Sequence, residues 1–208
     1  MISAMKCKTK IVVFDIGNVL LRWNPRNLYR KIFADEERME WFLNNICTGR
    51  WNLEQDRGRS FAEGVRLLIN EHPEWESEIR MFDERWLEMI SGEVAENVAV
   101  LKLLQQARIP TYTITNSNPT KFVDLCTRFP FLNNFDGVVV SGNEQLLKPD
   151  PEIYRVLLER YGLNAGDCVF IDDSLANIET AQALDMSVVH FDDREPLTSL
   201  LEPLKLNF

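Results

Sequence analysis

The 208-residue chain reads as an α/β protein, a parallel sheet whose strands alternate with helices, interrupted after its first strand by a helical insertion. Three observations predict this. The run Ile11–Phe14 is apolar and rich in β-branched residues, which suits a strand buried on both faces of a parallel sheet. Comparable runs recur at Thr111–Thr115 and at residues 138–140, 169–171 and 187–191, each separated from the next by a helical pattern. That alternation implies parallel pairing with right-handed crossovers. Between residues 23 and 92, four helical patterns follow one another with no strand. Residues 1–22 and 93–208 are therefore read as the core, and residues 23–92 as an inserted helical cap.

Each element has its own signal. Asn24 and Pro25 form a cap with proline at the first helical position, followed by the stripe Leu28, Tyr29, Ile32 and Phe33. A second helix is expected over residues 36–46, ended by Gly49. Residues 51–58 are polar, aromatic and poorly periodic, and are expected to form a loop. Ser60 and Glu63 have capping-box spacing before Val65, Leu68 and Ile69, and His72-Pro73 closes that helix. Trp75, Ile79, Phe82, Trp86 and Met89 mark a fourth helix, ended by Gly92. Val94, Val98, Leu101 and Leu104 mark a helix that stops before Pro110. Asn118-Pro119 opens the next, with Phe122, Leu125 and Cys126 inward. Residues 148–152 open a helix with Ile153, Val156, Leu157 and Tyr161 inward and Gly162 as its stop. Ser174 is expected to cap the last long helix, with Ile178, Ala181 and Leu184 inward.

Composition narrows the function. With 45% hydrophobic residues the chain can bury a sizeable core. A net charge of −9 argues against a nucleic-acid backbone or an anionic membrane as partner, though not against a small anionic substrate. No apolar run reaches the ~18 residues of a membrane helix. Residues 1–10 lack the apolar core of a secretory signal, and Met1 and Met5 are both candidate starts. Cys7, Cys47, Cys126 and Cys168 show no metal spacing. They read as reduced thiols of a cytoplasmic protein, expected to be a monomer or homodimer.

The chemistry-bearing residues fall at one edge of the expected sheet. Asp15 ends the first strand, Thr115 ends the second, Asp172-Asp173 end a later one, and Lys148 precedes a helix. Ligands of such sheets lie beyond the carboxyl ends of the strands. Three converging carboxylates repel one another unless a cation joins them, and Mg²⁺ takes oxygen ligands while keeping waters that a phosphate displaces. A hydroxyl and the amides at the helix start after Thr115 suit phosphate oxygens, and a lysine offsets remaining charge. A carboxylate nucleophile in that setting points to phosphoryl transfer through an aspartyl-phosphate.

Phe-Asp-Ile-Gly-Asn-Val-Leu around Asp15, Ile-Thr-Asn around Thr115, Leu-Lys-Pro-Asp-Pro around Lys148 and Phe-Ile-Asp-Asp-Ser around Asp172-Asp173 together resemble the four motifs of the haloacid dehalogenase-like (HAD) hydrolase superfamily. The subgroup it is most similar to is the small bacterial sugar phosphatases (glucose-1-phosphatase-like) with an α-helical cap. The resemblance implies a doubly wound, Rossmann-like core of five or more strands with the first strand central. It implies Asp15 as nucleophile, with Thr115 and Lys148 catalytic. It implies Mg²⁺ held by Asp15, the Gly17 carbonyl and Asp173, with Asp172 nearby or acting through water. Asn116 and Ser117 are expected to hold phosphoryl oxygens, and Trp51, Asn52, Glu54 and Gln55 to meet substrate hydroxyls. The expected substrate is a small phosphorylated metabolite, a sugar phosphate first.

One departure from the family pattern stands out. Most phosphatases of this superfamily carry an acid at the position of Gly17, worth roughly 10² to 10⁴ in rate. Either the leaving group needs little help, as at a sugar's hemiacetal oxygen, or another group supplies the proton, or the chain is a weak or non-catalytic metabolite binder. A metal-free 2-haloacid dehalogenase also lacks that acid and is the alternative enzyme reading.

Overall fold

The computed structural model describes residues 11–204. The expectations for Cys7 and for the choice between Met1 and Met5 lie outside them. Five strands form one sheet: β1 (Ile11–Phe14), β4 (Thr111–Thr115), β5 (Gly137–Val140), β6 (Cys168–Asp172) and β7 (Ser187–His190), in the order β5-β4-β1-β6-β7. Every pairing in this sheet is parallel, and β1 is its central strand. The other two strands, β2 (Leu21–Trp23) and β3 (Ile90–Glu93), pair antiparallel in a separate ribbon.

Alternating side chains of the sheet supply two cores. Val13, Ile114, Val139 and Phe170 pack on α9 (Pro151–Tyr161) and α10 (Leu175–Ala183), through Ile153, Tyr154, Leu157 and Ile178. Val12, Phe14, Val169 and Ile171 belong to the opposite cluster, with Val98, Leu101 and Leu104 of α6 (Ala95–Gln106) and Leu197 of α11 (Leu197–Leu201). Both faces are covered, which is why the strands read as apolar runs rather than as an alternation.

Between β2 and β3 the chain is helical: α1 (Arg26–Tyr29), α2 (Glu36–Asn45), α3 (Gly49–Asp56), α4 (Phe61–Glu71) and α5 (Glu76–Glu84), with 3₁₀ turns at Pro73–Trp75 and Trp86–Met89. Four expectations are corrected here. Residues 51–58 are not a loop, because most of them lie in α3. Gly49 starts that helix rather than ending α2, since the Thr48 hydroxyl accepts the Trp51 N–H at 3.0 Å and opens a new turn. Gly92 does not stop a helix but sits in β3 at φ +149°, a conformation that favours glycine. Residues 75–89 are two 3₁₀ turns around α5, not one helix.

The remaining helices are α7 (Pro119–Arg128) and α8 (Ser141–Glu144). Asn118 caps α7 by accepting the Thr120 N–H at 3.1 Å. Asp150 caps α9 by accepting the Glu152 N–H at 3.0 Å, and Gly162 ends it in a left-handed conformation. Ser174 makes no side-chain cap to α10. The Asp172 carboxylate instead accepts the Ser174 N–H at 2.8 Å. Among the described residues, no helix is long and apolar enough to cross a membrane.

Candidate active site

The carboxyl ends of β1, β4 and β6 bring Asp15, Thr115 and Asp172-Asp173 to one edge of the sheet. Lys148 lies at its centre, almost fully buried. Its Nζ stands 2.8 Å from Asp15 Oδ1 and 2.6 Å from Asp172 Oδ2. Asp172 is fully buried, and its Oδ1 also accepts from Ser174 N–H and, at 2.9 Å, from Asn177 Nδ2. With both oxygens so engaged, Asp172 fixes the lysine. Asp173 is less buried and faces the recess.

Oxygens of Asp15, Asp172 and Asp173 lie within 4.8 Å of one another. Against these three carboxylates stands the Lys148 ammonium, so the ionised cluster keeps an excess of negative charge that a divalent cation would balance. The donors are oxygens throughout, the kind that Mg²⁺ takes. Burial, joined by the negative charge of Asp172, outweighs the pull of Lys148 and raises Asp15 to about 7. Asp173 is likewise raised, by burial and then by Asp172, with Asn18 working against it. A bound cation would pull both back towards the ionised form.

The residues predicted from sequence divide into two sets. Asp15, Gly17, Thr115, Asn116, Lys148 and Asp173 line one recess of about 310 Å³. The Asn116 side chain is held away from substrate: its Oδ1 accepts Lys148 N–H at 2.8 Å and its Nδ2 donates to the Lys148 carbonyl at 3.0 Å. It braces the lysine. Ser117 is buried, its N–H given to Ser141 Oγ at 2.8 Å, and it lines the neighbouring cavity.

Of the four cap residues expected to meet substrate, only Asn52 lines that cavity. Trp51 packs edge-on against Phe82, ring centres 5.0 Å apart, within the helical core. Gln55 is fully buried, its Nε2 on the Trp51 carbonyl and its Oε1 on Arg59. Glu54 is exposed beside Arg57. These three are corrected as substrate contacts, because a helical turn there directs them elsewhere.

Sequence reasoning missed Asn18, Asn177, Leu53 and Asp56. Asn18 adopts φ 53° and donates to Asp173 Oδ2 at 3.3 Å. Its place after Gly17 was the available signal. Asn177 is one helical turn beyond Ser174, on the face that meets Asp172. Leu53 and Asp56 had no signal beyond being polar–apolar neighbours in an unperiodic stretch.

The cavity beside the recess measures about 380 Å³ and shares Gly17, Leu53, Thr115 and Asn116 with it. Its wall is mostly apolar: Ile16, Leu21, Trp23, Trp86, Ile90 and Leu125 contribute alongside Asn52, Asp56 and Ser117. The β2–β3 ribbon supplies Leu21, Trp23 and Ile90, so both chain crossings into the helical segment form part of the wall.

A family model for haloacid dehalogenase-like hydrolases matches residues 9–185. The chain is 26% identical over 189 residues to a sesquiterpene phosphatase of Aspergillus oryzae, covering 90% of this chain and 92% of that protein. It is 27% identical over 229 residues to a haloacid dehalogenase-like hydrolase domain-containing protein of Arabidopsis thaliana, covering 90% of this chain and 70% of that one. Among solved structures it is similar to a HAD family enzyme of Bacteroides thetaiotaomicron in complex with magnesium and inorganic phosphate. There the TM-score is 0.73 and the identity 23%, over 92% of this chain and 98% of that chain. A HAD phosphatase from Thermococcus onnurineus gives a TM-score of 0.64 at 22% identity, over 94% and 98% of the two chains. At these identities the structures speak for the fold.

Proposed function

Because this chain belongs to the haloacid dehalogenase-like hydrolase family, whose model it matches over residues 9–185, we propose that it is a magnesium-dependent phosphatase working through an aspartyl-phosphate on Asp15. The observation that carries the reading is the buried Lys148, bonded to Asp15 and Asp172 with Asp173 beside them. Asp15 presents one carboxylate oxygen to phosphorus. Lys148 holds that carboxylate in place and offsets charge shared with the phosphate, while Asp172 and the Asn116 side chain hold Lys148. The Thr115 hydroxyl and the Asn116 N–H would receive phosphoryl oxygens. Asp15, Asp173 and the Gly17 carbonyl would hold Mg²⁺, with Asp172 acting through the lysine. When bound, the ion polarises the phosphoryl group and templates in-line attack. The excess negative charge of the acids disfavours the metal-free dehalogenase reading. Residues 23–92 would act as the substrate-selecting cap.

The alcohol side of the ester enters the 380 Å³ cavity. Sugar hydroxyls need hydrogen-bonding partners when buried. The wall offers few, since Ser117 is engaged within the protein and Asn52 Nδ2 is given to Asp56, which leaves Asn52 Oδ1 as a lone unpaired acceptor. An apolar alcohol fits that wall, and the likeness to a sesquiterpene phosphatase agrees. A sugar phosphate is the second reading, favoured by the absence of an acid at Gly17. A panel of alkyl, prenyl and sugar monophosphates, with and without magnesium, tests both. Turnover is expected only with magnesium and fastest on apolar esters, and Asp15→Asn should reduce it to background. Halide release from haloacids, or Asp15→Asn at full rate, contradicts the reading.

A further inference from the structure

Asp56 presupposes nothing from the four motifs, yet it stands in the cavity where the ester's alcohol would leave. We propose that Asp56, from helix α3, is the proton donor to the leaving alcohol, replacing the acid absent at Gly17. A Cβ built on Gly17 meets nothing within 4 Å, so the space beside the nucleophile's strand is open on this side. Asp56 and Gly17 line the same cavity, and Leu53, on the preceding turn of α3, lines both that cavity and the catalytic recess. Among the described residues, Asp56 is the only titratable one in the cavity wall.

The end of α3 is fastened to the sheet edge, so Asp56 is placed and not merely near. Ser141 Oγ lies 2.6 Å from the Asp56 carbonyl, and Asn118 Nδ2 donates to the carbonyls of Gln55 and Arg59, each at 3.1 Å. The Asp56 carboxyl receives Asn52 Nδ2 at 2.9 Å and the backbone N–H of Asn118. Its neighbours in the cavity wall are uncharged, and the adjacent cations Arg57 and Arg59 are turned to Glu54 and Gln55. Burial therefore raises its pKa to about 8, with only the Asn118 N–H opposing, and the carboxyl keeps its proton at neutral pH.

The step balances. An Asp15 oxygen bonds to phosphorus as the bond from phosphorus to the ester oxygen breaks. That oxygen takes the electron pair and the Asp56 proton, and leaves as the alcohol. Asp56, now a carboxylate, accepts a proton from the water whose oxygen attacks the aspartyl-phosphate. The bond from phosphorus to Asp15 breaks, releasing phosphate and restoring both acids.

Asp56's role rests on the phosphatase reading above, and leaving-group acidity separates the two. The measurement is kcat/KM with magnesium on octyl phosphate and on p-nitrophenyl phosphate, for the unaltered protein, Asp56→Asn and Asp56→Glu. A donor is needed for an alkoxide and far less for a phenolate. Asp56→Asn should lose roughly 10² to 10⁴-fold on the octyl ester and less than about tenfold on the aryl ester. Asp56→Glu should recover part of the octyl rate. In the unaltered protein, octyl turnover should fall as pH rises through about 8 more steeply than aryl turnover. Equal losses on both esters, or parallel pH profiles, overturn the assignment and leave Asp56 a structural anchor; the pH profiles decide the matter even if both variants fail to fold. No magnesium-dependent release of phosphate from either ester by the unaltered protein overturns the phosphatase reading itself.

Discussion

Lys148 is the residue on which the site's order depends. Its ammonium, almost wholly removed from water, touches two carboxylates, one of them fully buried. Removing one partner of a buried ion pair leaves the other uncompensated, at a cost of about 3 to 5 kcal/mol. Lys148→Met should therefore lower stability by that order, read by denaturant unfolding, as well as abolish turnover. A variant of undiminished stability would show that Asp172 does not depend on the lysine. Asp56 makes an opposite demand. Its folded-state pKa is raised from 3.8 to about 8, so the native state holds the proton more tightly than the unfolded chain. That contribution is fully present below about pH 4 and is lost as pH rises to 8. Asp56→Asn removes the dependence. The difference in Tm between unaltered protein and variant should move in the variant's favour from pH 5 to pH 8. A difference that stays constant with pH would mean that the carboxyl titrates normally.

At the scale of elements, α3 decides what the site can do beyond the four motifs. Its close seat on the sheet edge requires glycine at residue 58, where φ is +118° and a Cβ would lie 2.7 Å from the Gly142 carbonyl oxygen. Gly58→Ala should destabilise the protein by about 1 to 3 kcal/mol, seen as a lowered Tm. An unchanged Tm would place that backbone contact elsewhere. This helix was also the element least legible in the sequence. A helix announces itself through apolar residues on its buried face, whereas α3 buries Asn52 and Gln55. Strands β2 and β3 went unread for another reason, since three and four residues carry too little alternation to separate from loop. By contrast β1 and β6 are apolar runs and β4 is a β-branched one, stopping at Asp15, Asp172 and Thr115, and that stop is where fold and chemistry coincide. The central place of β1 was expected from the resemblance and is present in the fold, whereas the bond from Lys148 to Asp172 was not expected. What Trp51, Gln55 and Asp56 face was not legible, because it depends on the docking of α3 against α4, α5 and α8.

For the whole molecule, the division of labour follows the topology. The parallel sheet sets the charged recess at its strand ends, and the chain leaves and re-enters the sheet through the paired β2 and β3, which wall the apolar cavity next to it. Under the proposed reading, one protein of net charge −9 would offer a local lysine to a phosphoryl group and an apolar space to the alcohol it leaves. Selectivity should follow: replacing Trp86 by Gln, a polar group on the cavity wall, should raise KM for an apolar ester more than for a small one such as methyl phosphate. Equal effects on both would detach the cavity from substrate choice. The central claim is that Asp15 itself takes the phosphoryl group, and peptide mass spectrometry tests it most directly. Protein mixed with magnesium and a turned-over phosphomonoester, then quenched in acid within the first turnover, should carry a phosphoryl group on the peptide at Asp15. Phosphate released with that peptide never modified, or modified at another residue, would contradict the account.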